Sequence, residues 1–131
     1  MAQEFTRSAN KLRFIIHADF IVGLPGETEK TIEETIAWAK GLSVHSYQFT
    51  VPHVYPRTPL YVYLNGNNLL NGERPNYPHL SYEELISRSK KAIRECHFNL
   101  RYILRMIKKP QELFRALYCS RFVLKYLMER R

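Results

Sequence analysis

Asp19-Phe20-Ile21-Val22-Gly23-Leu24-Pro25-Gly26-Glu27-Thr28 is the stretch that decides the fold of this chain. Phe20, Ile21 and Val22 close an apolar run that opens at Leu12 and takes in Phe14, Ile15 and Ile16. A short, nearly continuous run of this kind predicts a strand buried on both faces, as in a parallel sheet. Gly23 and Gly26 permit positive φ or a close approach, and Pro25 stiffens the turn between them. Thr28 offers a helix N-cap, and Glu29 sits in the first turn, where a carboxylate suits the helix dipole. Ile32, Ile36 and Ala39 follow at i, i+4 and i+7. They predict an amphipathic helix that runs to Lys40 and stops at Gly41.

Tyr47-Gln48-Phe49-Thr50-Val51 predicts a second strand, ended by Pro52. Strand, helix and strand with short joints make a βαβ unit with parallel strands and a right-handed crossover. The turn at residues 23–27 then lies at the carboxyl end of a strand, the edge where α/β folds bind ligands. Read by itself, it is equally a tight strand-to-helix joint without a ligand.

Outward from this unit the chain becomes helical. Residues 3–12 carry helix formers and charge. Leu60 to Leu64 reads as a short helix or an extended piece, and Asn65 to Pro78 as a surface loop. Ser81-Tyr82-Glu83-Glu84 has the form of a capping box and opens a helix expected to reach Lys109. Pro110 suits the first turn of a last helix, running to the C-terminus. Two regions result: a βαβ part over residues 1–70 and a helical, basic part over residues 71–131.

The 131 residues carry a net charge of +8, 45% hydrophobic and 24% charged residues, enough for one modest soluble core. The two cysteines, Cys96 and Cys119, form no Cys-x2-Cys pair, so neither a zinc site nor a disulfide framework is expected. No run approaches the roughly 20 apolar residues of a membrane span. The N-terminus lacks the apolar core of a signal peptide. The expected location is cytoplasmic.

Asp19 to Thr28, the helix with Thr31-Ile32 and Thr35, and Pro56-Arg57-Thr58-Pro59-Leu60-Tyr61 together resemble the radical S-adenosylmethionine (SAM) superfamily. The resemblance is closest to its cobalamin-binding-type group, and within it to the hopanoid-biosynthesis enzymes. It implies a partial (β/α) barrel of about two parallel strands followed by a helical tail, the C-terminal part of such an enzyme in hopanoid or other lipid biosynthesis. SAM and a [4Fe–4S] cluster would serve the whole enzyme, with cobalamin a further candidate, and the N-terminal part of the barrel would be the missing partner. By the resemblance, Ile21 packs on the SAM adenine, Gly23 closes its strand, and Thr50 and Val51 border the adenine from the next strand. An ordinary core position is the equal alternative for Ile21. Two residues depart from the pattern: Asp19 stands where many members have Gly, and Arg57 stands where Gly is usual, which puts the turn after Pro56 in question. The Cys-x3-Cys-x2-Cys that leaves one iron open for SAM has no counterpart here, so the chain alone is not expected to cleave SAM.

The histidines, His17, His45, His53, His79 and His97, do not cluster in sequence. His53 follows the second strand on the ligand edge and is a candidate substrate contact, as is Arg57. Glu27 reads as a helix-start carboxylate without acid–base work. From Cys96 to Arg131 nine Lys or Arg stand against two Glu, interleaved with aromatic and aliphatic residues. The plainest reading is a helical pair with solvated charges. A peripheral membrane surface is the leading functional alternative, ahead of nucleic acid, and makes a non-catalytic basic module the rival to an enzyme fragment.

Overall fold

The computed structural model describes residues 1–108. In chain order the elements are α1 (Ala2–Lys11), β1 (His17–Ile21), α2 (Glu29–Ala39), β2 (Ser46–Thr50), α3 (Pro59–Gly66), β3 (Leu70–Asn71), β4 (Arg74–Pro75), α4 (Tyr82–His97) and α5 (Leu100–Lys108). The helix expected after Pro110, and Cys119 with it, lie outside the described residues.

β1 and β2 pair in parallel, with His17 opposite Ser46, Phe20 opposite Phe49 and Ile21 opposite Thr50. The α/β character and the two parallel strands are therefore as the sequence predicts. One face of the pair carries Ala18, Phe20, Tyr47 and Phe49, and helices cover it. α4 packs on β2, and α2 packs on α4. Phe20 stacks on Phe49 at 4.6 Å and meets the edge of Trp38 at 6.1 Å. Ile32, Ile36, Leu85, Ala92, Ile93 and Cys96 fill the space between strands and helices. The Lys40–Glu95 ion pair, 2.5 Å, and a second between Arg88 and Glu29 tie α2 to α4 from outside.

The expected strand from Leu12, buried on both faces, is corrected in two ways. First, β1 begins only at His17. α1 ends in a Schellman motif: Arg13 takes φ 63°, its N–H donates to Asn10 O, and the Phe14 N–H donates to Ala9 O. Residues 12–14 are used to end the helix and cannot extend a strand. Second, β1 alternates: His17, Asp19 and Ile21 are exposed while Ala18 and Phe20 are half-buried. Among the described residues helices cover only the Phe20 face, so the apolar run reports one buried face and one open one.

Local chemistry explains most element ends. Thr28 and Thr31 form a capping box at α2, and Ser81 and Glu84 another at α4. Thr58 caps α3, where Pro59 is the first residue, so the region around Leu60 is helical. The expected loop over residues 65–78 contains the small antiparallel pair of β3 and β4 around Gly72, whose φ is 64°. The helix expected to reach Lys109 is broken at Phe98. Asn99 accepts from Tyr102 N at 3.0 Å and donates to Cys96 O at 2.6 Å, so one side chain caps α5 and closes α4.

Candidate functional site

The candidate site is the carboxyl edge of the β1/β2 pair. The open face reads in rows. At the amino end lie His17 and Ser46, in the middle Asp19 and Gln48, and at the carboxyl edge Ile21 and Thr50. The first rows are polar: His17 is hydrogen-bonded to Ser46 Oγ at 2.5 Å through Nδ1 and to Asp19 at 3.1 Å through Nε2. Ser46 is fully buried, so its hydroxyl meets no substrate and the trio ties the strands together. The last row differs. Ile21 is 55% exposed, an apolar side chain held on rigid strand, beside the half-buried Thr50 and at the mouth of the turn.

The turn itself is clamped. Gly23 takes φ 93° and is buried, and a Cβ there would stand 2.8 Å from Leu85 Cδ1. Glu27 reaches back so that its carboxylate accepts from the Gly23 and Leu24 N–H groups. Tyr77 donates its hydroxyl proton to Gly23 O at 2.9 Å, from 54 residues away. Burial first, and the Glu27 charge second, push the Tyr77 phenol up to about 12. His79 Nε2 donates to Glu27 O at 3.0 Å. The backbone polar groups of Gly23 are thereby satisfied within the chain. A ligand at this edge meets the side chains of Ile21 and Thr50, with Val51 half-buried behind them, in place of free amides.

The predicted residues separate into two groups. Ile21, Gly23, Thr50 and Val51 come together at the strand ends. His53 and Arg57 do not join them through any polar contact. His53 Nε2 pairs with Glu73 at 2.7 Å and its ring meets Tyr55 edge-on at 4.6 Å. Arg57 is exposed and takes φ 68°, so the glycine-like turn after Pro56 is kept despite the bulkier residue. Glu27 stands just before the helix, as its sequence position implies, and the structure adds its bonds to two amides and the Tyr77 latch. The four-residue step from Gly23 to Glu27 was the only sign of the first, and nothing local points to the second.

The donor set does not fit an iron–sulfur cluster. Such clusters need several thiolates, and within the described residues Cys96 is the cysteine present, buried, with its thiol pushed up to about 12 by desolvation. Among the described residues no three His, Cys, Asp or Glu side chains gather as a metal site, and no helix is long and apolar enough to cross a membrane.

Comparison with known proteins gives one relative of note. An uncharacterized methyltransferase of Pyrococcus horikoshii is 45% identical over 60 residues, 44% of this chain. The match spans only 13% of that protein's length. No family model matches the chain, and no solved structure does. The expected membership of the radical SAM superfamily, and of its hopanoid-biosynthesis group, is corrected by this result: the likeness found is to a methyltransferase. Iron–sulfur, cobalamin and hopanoid chemistry receive no support from it. Of the fold expected from that resemblance, the mixed α/β arrangement with two parallel strands and several helices is found, and nothing in the comparisons supports the barrel itself.

Proposed function

We propose that this chain forms one wall of a SAM site in a methyltransferase, with Ile21, Thr50 and Val51 as the surface that meets the adenine of SAM. The observation that carries the reading is Ile21: an apolar side chain left 55% exposed at the carboxyl end of a parallel strand, in a chain similar over 60 residues to a methyltransferase. Ligands of open parallel sheets sit at that edge, and flat heteroaromatic rings pack well on aliphatic side chains that are already fixed in place. SAM, when bound, supplies the methyl group. The chain's own part is to orient it. Ile21 and Val51 offer apolar contact, Thr50 a hydroxyl, and the Glu27–Gly23–Tyr77 clamp holds the strand end so that Ile21 need not be ordered on binding. His53 and Arg57 are assigned the substrate side, where they stand after β2. Because the match spans 13% of the relative, the other walls are assigned to further parallel strands of a longer protein, paired to the free edge of β1.

Isothermal titration with SAM tests this. Ile21→Ala removes most of the ledge without touching the core, and affinity should fall about tenfold, the size expected when roughly 1.4 kcal/mol of apolar contact is lost. SAM binding of unchanged strength in Ile21→Ala rules the assignment out.

A further inference from the structure

α5 buries Tyr102 in the core, against Tyr47 and His97, yet leaves an aliphatic stripe facing out. An amphipathic helix normally turns its apolar stripe inward. Here the inward side is fixed by polar anchors: the Tyr102 hydroxyl donates to His45 O at 2.6 Å, and the Arg105 guanidinium donates to the carbonyl oxygens of Leu42 and Val44. The outward side carries Leu100, Ile103, Leu104 and Ile107 at i, i+3, i+4 and i+7, which are 70%, 37%, 45% and 67% exposed. Arg101 and Lys108 flank this stripe, both exposed, and α5 contains no acidic residue.

We propose that the outward face of α5 is a docking surface for an anionic lipid bilayer. The charge decides the occupant. The chain carries a net +8, and a second copy would set Arg101 and Lys108 against their own kind. A nucleic acid would be met by aromatic stacking platforms and polar groups, whereas this face presents four aliphatic side chains. Aliphatic residues flanked by cations match the acyl boundary and the anionic headgroups together. Attachment is peripheral, since no described helix is able to span a bilayer. The surface stands apart from the strand edge assigned to SAM, and either assignment holds without the other.

The test is co-sedimentation of the full chain with vesicles of mixed phosphatidylglycerol and phosphatidylcholine, and with phosphatidylcholine alone, at low and high salt. Binding is expected to the anionic vesicles only and to weaken with salt. The charge-neutral pair Ile103→Ser and Ile107→Ser alters exposed side chains, so the fold is retained, which circular dichroism verifies. It should abolish most of the binding. Arg101→Gln and Lys108→Gln should each weaken it about fivefold. Four results overturn the proposal: no binding to anionic vesicles at low salt; equal binding by the Ser pair, which moves the contact elsewhere in the chain; a dimer that the Ser pair dissociates, which makes a second copy the occupant; or salt-sensitive binding to duplex DNA or RNA in place of vesicles.

Discussion

At Gly23 three demands meet. Its φ of 93° disfavours any L side chain, Leu85 stands where a Cβ would go, and both of its backbone polar groups are taken by Glu27 and Tyr77. Gly23→Ala combines left-handed strain with overpacking, each on the order of 1–3 kcal/mol, and should lower the urea midpoint with the slope unchanged. Tyr77→Phe leaves Gly23 O buried without its donor and should cost about 1–3 kcal/mol in the same measurement. The two residues differ in how far the sequence announces them. Gly23 is legible because glycine next to Pro25 and Gly26 at a strand end has few other uses. Tyr77 is not, because its partner lies 54 residues away and a tyrosine in a Pro- and Asn-rich stretch reads as surface. Ile21 was legible as apolar, while its exposure depends on a covering layer that the sequence of one strand does not describe.

Among the elements, the helices with side-chain caps were the readable ones. Thr28 and Ser81 mark the starts of α2 and α4 in the sequence itself, and both caps form. Ends governed by backbone geometry were harder. Arg13 at φ 63° ends α1 where glycine is the usual signal, which is why the apolar run after Leu12 looked like the beginning of a strand. β3 and β4 have two residues each, too short to show any period. The α4–α5 break rests on Asn99, a cap inside what otherwise reads as one helix. Asn99→Ala should cost about 1 kcal/mol and lower the helical circular dichroism signal at moderate denaturant before the main transition. If the signal and the transition both stay where they are in the parent, Asn99 does not define the joint.

For the molecule as a whole, buried titratable groups set the pH range of stability. Burial holds the Cys96 thiol at about 12 against an ordinary 9.0, and the Tyr77 phenol at about 12 against 10.0. Both keep their protons more tightly folded than unfolded, so their stabilisation is complete below pH 9 and is lost as pH rises toward 12. His97 behaves oppositely. Desolvation against Tyr47 and Tyr102 lowers its affinity for a proton below the ordinary 6.5, so the unfolded chain takes up the proton first and stability declines as pH falls below 6.5. The melting temperature should therefore plateau between pH 6.5 and 9, and His97→Phe should lessen the decline just below pH 6.5 while leaving the steeper acid loss from Glu84 and Glu95, whose carboxyls are held below the ordinary 4.5 by Ser81 and Lys40. The SAM surface proposed at the carboxyl edge of β1 and β2 is probed by titrating SAM into the isotopically labelled full chain and following its backbone amide resonances. Shifts concentrated at Ile21, Gly23, Thr50 and Val51, and weakened in Ile21→Ala, are expected. Shifts confined to another part of the chain, or none at saturating SAM, would contradict the proposed surface.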